Sequence, residues 1–307
     1  MYDVIGDIHG QYEKLLALLK TLGYRKVGGA FRHPEGRQAV FVGDFIDRGP
    51  LQEEVLDAVR RMVEAGSGRA VMGNHEWNAI GYATLADDGS SHCRPRIDKN
   101  TRQHREFLEQ VGLDSEAHRQ WVRWFAQLPP FLDLGGIRVC HAWWNLSSID
   151  CLSSNMRDGR LSEAFLRDSF AKGTAANLAV EAVTKGLELK LPAGTSIVDH
   201  EGQQHHEIRL RWWDCTATTY ARAALVPAEQ NDQLPLDRLP DEVELGLESE
   251  VPVFVGHYWL TGSPRVQDAR MAVLDYSAAR EGPLVAYRWE GEPELCDDSL
   301  VVAGADR

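Results

Sequence analysis

The chain has 307 residues, 43% of them hydrophobic and 26% charged, and a formal net charge of −13. That length can bury a large core, and the acidic balance argues against a nucleic-acid polymer as partner, because non-specific phosphate-backbone binding relies on basic surface. No apolar run approaches the roughly 20 residues of a membrane helix, and Asp3 and Asp7 interrupt the apolar start, so neither a membrane span nor a signal peptide is expected and the protein reads as cytoplasmic.

In chain order, Tyr2 to Ile5 is the first expected strand. A helix follows over about residues 11–22, where Tyr12, Leu15, Leu16, Leu19 and Leu22 recur at helical spacing and Gly23 supplies a stop. Residues 25–37 read as a loop or short hairpin. Ala39 to Val42 is the second strand, and Pro50 opens a helix carrying Val55, Leu56, Val59, Met62 and Val63. A third short apolar run ends at Gly73, a short helix is expected over Asn78 to Thr84, and residues 87–99 read as a surface loop. Residues 102–126 read as helical, and Phe131 to Val139 as a hairpin around Gly135-Gly136. In the next stretch, residues 160–170 and 174–185 read as helices and 187–206 as extended chain with turns at Pro192-Ala193-Gly194 and Glu201-Gly202. Residues 230–250 read as exposed loop. Strands are expected at Val251 to Val255, Met271 to Asp275 and Leu284 to Trp289, the last two antiparallel because only a short turn separates them. The alternation of strand and helix in the first third predicts an α/β layered fold with functional groups at the carboxyl ends of strands.

Those strand ends carry the chemistry. Gly6-Asp7-Ile8-His9-Gly10, Gly43-Asp44-Phe45-Ile46-Asp47-Arg48-Gly49 and Gly73-Asn74-His75-Glu76 each follow an apolar run, and His141 and His257 follow two more. Carboxylate, imidazole and amide-oxygen ligands without thiolates suit Mn²⁺, Fe or Zn. Side chains two apart on a strand share a face, so Asp7 and His9 can serve one ion. A carboxylate can bridge two ions about 3.5–4 Å apart, and Asp44, at the central strand end, is the natural bridge.

In order and spacing, these motifs resemble the calcineurin-like metallophosphoesterases, in the phosphoprotein-phosphatase branch that includes serine/threonine phosphatases and diadenosine tetraphosphatases. The resemblance implies a four-layer αββα sandwich, a single domain over residues 1–307 with an inserted cap at 145–210. It implies two divalent ions, Mn²⁺ foremost: Asp7 and His9 on the first, Asp44 between them, and Asn74, His141 and His257 on the second. It further implies that a hydroxide shared by the ions attacks phosphorus, that His75 protonates the leaving oxygen with Asp47 fixing its tautomer, and that Arg48 clamps the phosphate. The family's second phosphate-binding arginine has no matching motif here, and Arg222 and Arg211 are the candidates. His257 is followed by Tyr258 and Trp259, not by a second histidine two residues on, which favours this branch over the wider superfamily.

The leading functional expectation is hydrolysis of phosphate monoesters of a small molecule or phosphoprotein. The first alternative is a dinucleoside tetraphosphatase and the second a catalytically silent metal- or nucleotide-binding regulator. The five cysteines, Cys93, Cys140, Cys151, Cys215 and Cys296, show no C-x-x-C spacing and read mostly as buried apolar side chains. Trp143-Trp144 and Trp212-Trp213 read as packing. His33, His92, His104, His118, His200, His205 and His206 read as surface residues.

Overall fold

The computed structural model describes residues 1–198 and 204–303; the expected turn at Glu201-Gly202 and His200 lie outside the described residues. Side-chain alternation in the first strands decides the layering. Strand β1 (Tyr2–Ile5) is followed by helix α1 (Tyr12–Thr21), then β2 (Gln38–Phe41), parallel to β1 with Val4 opposite Val40 and Ile5 opposite Phe41. Because successive side chains point to opposite faces, Ile5, Ala39 and Phe41 join Leu15 and Leu18 of α1 and Val55 and Val59 of α2 (Gln52–Glu64) in one core. Val4 and Val40 face the other way, into a second core shared with Val139, Phe254 and Ala272.

Strand β3 (Gly68–Ala70) extends the sheet in parallel. After it come the helices α3 (Asn74–Ala83), α4 (Arg105–Val111) and α5 (Glu116–Phe125), then strands β4 (Phe131–Asp133) and β5 (Arg138–Cys140). Helices α6 (Leu146–Ser154) and α7 (Ala175–Lys185) follow, and after them strands β6 (Val253–Val255), β7 (Met271–Val273), β8 (Val285–Trp289) and β9 (Leu300–Val302). One sheet has the order β9-β8-β1-β2-β3 and the other β7-β6-β5-β4. Val139, Phe254 and Ala272 of the second sheet meet the first, whereas Cys140, Val253 and Val255 share a core with Leu152 of α6 and Val180 and Val183 of α7. Helix, sheet, sheet, helix is the mixed α/β sandwich expected.

The stretch 145–210 divides between two cores. Helices α6 and α7 belong to the outer layer, while Leu191, Ile208 and Leu210 join Ala217, Tyr220 and Leu234 in a separate small core. No helix among the described residues is long and apolar enough to cross a membrane.

Several expectations are corrected. Strands β7 and β8 do not pair: β7 runs parallel to β6 in one sheet and β8 antiparallel to β1 in the other, the chain crossing between layers. Residues 102–126 do not form one helix, because Gly112 adopts φ +76° and Ser115 starts a new one by accepting the N–H of His118. The helix expected from Asn78 begins at Asn74, and residues 160–161 form a short strand ahead of a helix at Glu163–Asp168. Of the cysteines only Cys140 is buried; Cys215 and Cys296 are exposed, their neighbourhoods being loops.

His104 and His118 are buried, not surface residues, because the break between the helices turns both rings inward against Phe107. Burial, followed by the charge of His104, Arg96 and Arg119 against the partial support of Asp114, holds His118 down to about 4. A histidine whose folded pKa lies below its unfolded value binds fewer protons when folded, so its stability contribution is present above about pH 6.5 and is lost as pH falls toward 4. Denaturant unfolding is therefore expected to show lower stability at pH 5 than at pH 7, with a smaller difference in His118→Gln; an unchanged difference removes His118 from the explanation.

Candidate metal centre

Strands β1, β2, β3, β5 and β6 are linked through parallel pairings within each sheet, so their carboxyl ends deliver side chains to one place. Two glycines permit the close approach. A Cβ on Gly43 (φ +102°) would lie 2.6 Å from the Gly73 nitrogen, and one on Gly256 would lie 1.8 Å from Asp7 Oδ1. Beyond the glycines, His9, Asp44, Asp47, Arg48 and His257 all have positive φ, five of the nine such non-glycine residues described. Each costs of order 1–3 kcal/mol, so the strain is concentrated on the residues that carry the chemistry.

Asp44 is central. Its Oδ2 lies 3.3 Å from His141 Nε2 and 3.5 Å from His9 Nε2, and its Oδ1 accepts the His75 N–H at 3.0 Å. His141 Nδ1 donates to Val42 O (2.7 Å) and His9 Nδ1 to Ile46 O (2.8 Å), which leaves the Nε2 lone pair of each ring facing the carboxylate. Asn74 Oδ1 lies 3.1 Å from His141 Nε2 and 2.9 Å from His257 Nδ1. Asp7 accepts the His257 N–H on Oδ2 (2.9 Å), while its Oδ1 and His9 Nε2 are buried without a hydrogen bond among the described residues. Imidazole nitrogens and carboxylate and amide oxygens that converge in this way, with buried ligand atoms left without a hydrogen bond, fit divalent cations. The electrostatics carry the same demand for positive charge. Burial lowers His141, but Asp44 and Asp7 outweigh it and push it up to about 10. Burial and the neighbouring Asp275 raise Asp7 well above the carboxylate range.

Beside this cluster, His75 Nδ1 meets Asp47 Oδ2 at 2.5 Å, and Asp47 Oδ1 meets His104 Nδ1 at 2.7 Å. Burial raises the Asp47 carboxyl, but the two imidazoles, His104 first, more than reverse that and hold it well below the usual range. His75 Nε2 lies 3.4 Å from an Arg48 nitrogen and 3.9 Å from Asp44 Oδ2. The Arg48 guanidinium stacks on Trp259, its carbon 3.8 Å from the ring centroid. All six expected ligands and the trio His75, Asp47 and Arg48 are thus brought together.

Arg222 is not. It is exposed on a short helix (Tyr220–Ala223) and lines a surface hollow with Arg211 and Asp214, to which none of the ligands contributes. The guanidinium whose charge bears on His257, after burial, is that of Arg209, and together they hold the ring well below its ordinary pKa.

Glu76, His104, Trp259 and Arg209 also belong to the site, though none of them carried a role in the sequence. Glu76 is buried and accepts the backbone N–H groups of Asp44 (2.9 Å), Phe45 (2.8 Å) and Gly73 (3.0 Å), so it sets the turn that aims Asp44. Burial, then the charge of Asp44, pushes it up to about 7. Its spacing from the helix-opening Gly73, as in a capping box, was the available signal. His104 and Trp259 reach the site by tertiary placement.

The calcineurin-like phosphoesterase family matches residues 2–206. Among curated proteins, the chain is 46% identical over 74 residues to the asymmetrical bis(5'-nucleosyl)-tetraphosphatase PrpE of Halalkalibacterium halodurans, covering 24% of this chain and 30% of that one. The Bacillus subtilis protein of the same name is 49% identical over 74 residues, with the same coverage. The chain therefore matches less than a third of the length of these relatives. A solved structure described as a putative diadenosine tetraphosphatase is 15% identical, covers 99% of this chain and 94% of that chain, and superposes with a TM-score of 0.45. With the family spanning well over half of its residues, the chain belongs to the calcineurin-like phosphoesterases.

Proposed function

We propose that this protein is a binuclear metal-dependent phosphohydrolase whose leading substrates are dinucleoside polyphosphates such as diadenosine tetraphosphate. The observation that carries the metal reading is Asp44 Oδ2 set between His9 Nε2 and His141 Nε2, with Asp7 Oδ1 orphaned beside them. Asp7, His9 and Asp44 would hold one divalent ion, and Asp44, Asn74, His141 and His257 the other. When bound, such a pair supplies Lewis-acid charge and a nucleophile activated at neutral pH.

The chain's own residues do the rest. Arg48 holds the phosphate oxygens in the orientation that its stacking on Trp259 imposes. His75 carries the proton for the leaving oxygen on Nε2, because Asp47 engages Nδ1 and stabilises the imidazolium. His104 fixes the Asp47 carboxylate from its other oxygen.

The sequence alone put phosphate monoesters ahead of dinucleotides; the order is reversed here because the curated relatives carry the tetraphosphatase name. The test is a Mn²⁺-supplemented comparison of a phosphopeptide with diadenosine tetraphosphate, products separated by chromatography. Faster, chelator-sensitive turnover of the dinucleotide is expected. Two diphosphates would mark symmetrical cleavage, and a triphosphate with a monophosphate asymmetrical cleavage. Faster release of phosphate from the peptide restores the monoesterase reading, and metal binding without turnover of either leaves a silent regulator.

A further inference from the structure

The connection that carries the chain from β7 to β8 is held from outside by α1. Lys14 Nζ donates to Ala278 O (2.7 Å), Gly282 O (2.8 Å) and Arg280 O (3.0 Å). An ammonium has three donors, and here all three are spent on one loop, which fixes it as a unit. At the loop's start the buried Asp275 accepts the N–H groups of Trp259 (2.8 Å) and Ser277 (2.9 Å), tying the loop to the strand end that bears His257. Trp259 and Ser277 both adopt positive φ, +48° and +60°, so the tie holds backbone in a conformation it would otherwise leave.

This arrangement puts two guanidinium groups on one indole. The Arg48 carbon lies 3.8 Å and the Arg280 carbon 5.2 Å from the Trp259 ring centroid, so the two cations are no further apart than those distances together. Arg48 is half-buried next to His75, whereas Arg280 is exposed. A cavity of about 900 Å³ opens there, lined by Arg209, Tyr258, Trp259, Tyr276, Ser277 and Arg280. Arg209 has an exposed carboxylate contact with Glu188 at 3.3 Å, the kind of surface pair that is worth little and is readily exchanged. Among the described residues, Glu281 is the one carboxylate on the cavity wall. In a chain of net charge −13, a cavity with two arginines whose wall includes Trp259, the ring that Arg48 stacks on, is a local reversal of sign.

We infer that Arg280, with Arg209 on the same cavity, binds the phosphates beyond the one being cleaved, so that the cavity selects substrates carrying a polyphosphate chain over simple monoesters. The inference deepens the phosphohydrolase reading and rests on it for the position of the scissile group. Arg48, beside His75, meets the reacting phosphate; Trp259 links it to the next cation; Arg280 meets a charge that only a longer chain can bring there. A monoester has nothing to reach it.

Binding of inorganic tripolyphosphate and of orthophosphate, each pre-equilibrated with Mn²⁺, is measured by calorimetry on the Mn²⁺-loaded full chain. Wild type is expected to bind tripolyphosphate the more tightly. Arg280→Ala should weaken tripolyphosphate by about ten- to a hundredfold, the span of a charge-assisted hydrogen bond, and orthophosphate by a much smaller factor. Lys14→Met leaves Arg280 in place but unties its loop, and should shift the preference in the same direction. Equal weakening of both anions in Arg280→Ala, or a wild type that does not prefer tripolyphosphate, overturns the inference. Because the readout is binding, this result is separate from the turnover experiment that decides the phosphohydrolase reading.

Discussion

Asp44→Asn should leave the folded chain unable to hold two ions and should lower kcat/KM by roughly three decades or more, since a metal pair supplies several kcal/mol of transition-state stabilisation. The reason is geometric. One oxygen of Asp44 faces both His9 and His141, and the other anchors the backbone N–H of His75. The amide keeps the size but removes the charge that balances two cations, and it offers only one oxygen where two are used. Metal per chain, measured alongside turnover, decides the matter. A variant that retains both ions and near-normal activity would remove Asp44 from the bridging role and leave Asp7, with its orphaned oxygen, as the next candidate.

His75→Asn is expected to lower kcat by about two to four decades with metal content intact, the usual span for a general acid. The geometry makes this a real test, because His9, Asp44 and His75 also form a group close enough to hold an ion, with His75 Nε2 only 3.9 Å from Asp44 Oδ2. Loss of metal in the variant would show that His75 is a ligand. The acid reading makes a second demand: the loss should be largest for substrates with a poor leaving group and small for p-nitrophenyl phosphate, whose leaving group needs little protonation. His104→Leu should show the same leaving-group pattern more weakly, and His104→Asn, which can still donate to Asp47, should recover most of it. A uniform loss across leaving groups would make His104 a packing residue.

The ligands were legible because each is encoded locally. A glycine, a short apolar run and an acidic, amide or imidazole side chain are neighbours in the chain, and the strand end that presents Asp7, Asp44, Asn74, His141 or His257 needs no long-range information. What was not legible arrives from elsewhere. His104 sits in no motif and reaches Asp47 only because the chain breaks between short helices and folds back over it. Arg209 lies two residues before the candidate Arg211, yet alternation along its strand puts Ile208 and Leu210 in a buried core and leaves Arg209 on the other side. The crossing from β7 to β8 was misread for a related reason: a short connection can join two layers as well as two neighbours, and β8 pairs with β1 and β9. The tryptophan pairs were read correctly as packing where Trp144 and Trp212 are concerned, both being buried in the core.

The hydrogen bond from the His257 N–H to Asp7 Oδ2 spans 250 positions. Asp7, His9 and Asp44 leave the ribosome first, when the strands that carry His141 and His257 have not yet been made. An early fragment can offer carboxylate and imidazole to a passing cation, but it cannot enclose one, since the strands that bear His141 and His257 are made later and belong to the other sheet. Ion capture therefore waits on strands far apart in the chain, and the finished cage reports that both sheets have closed on each other.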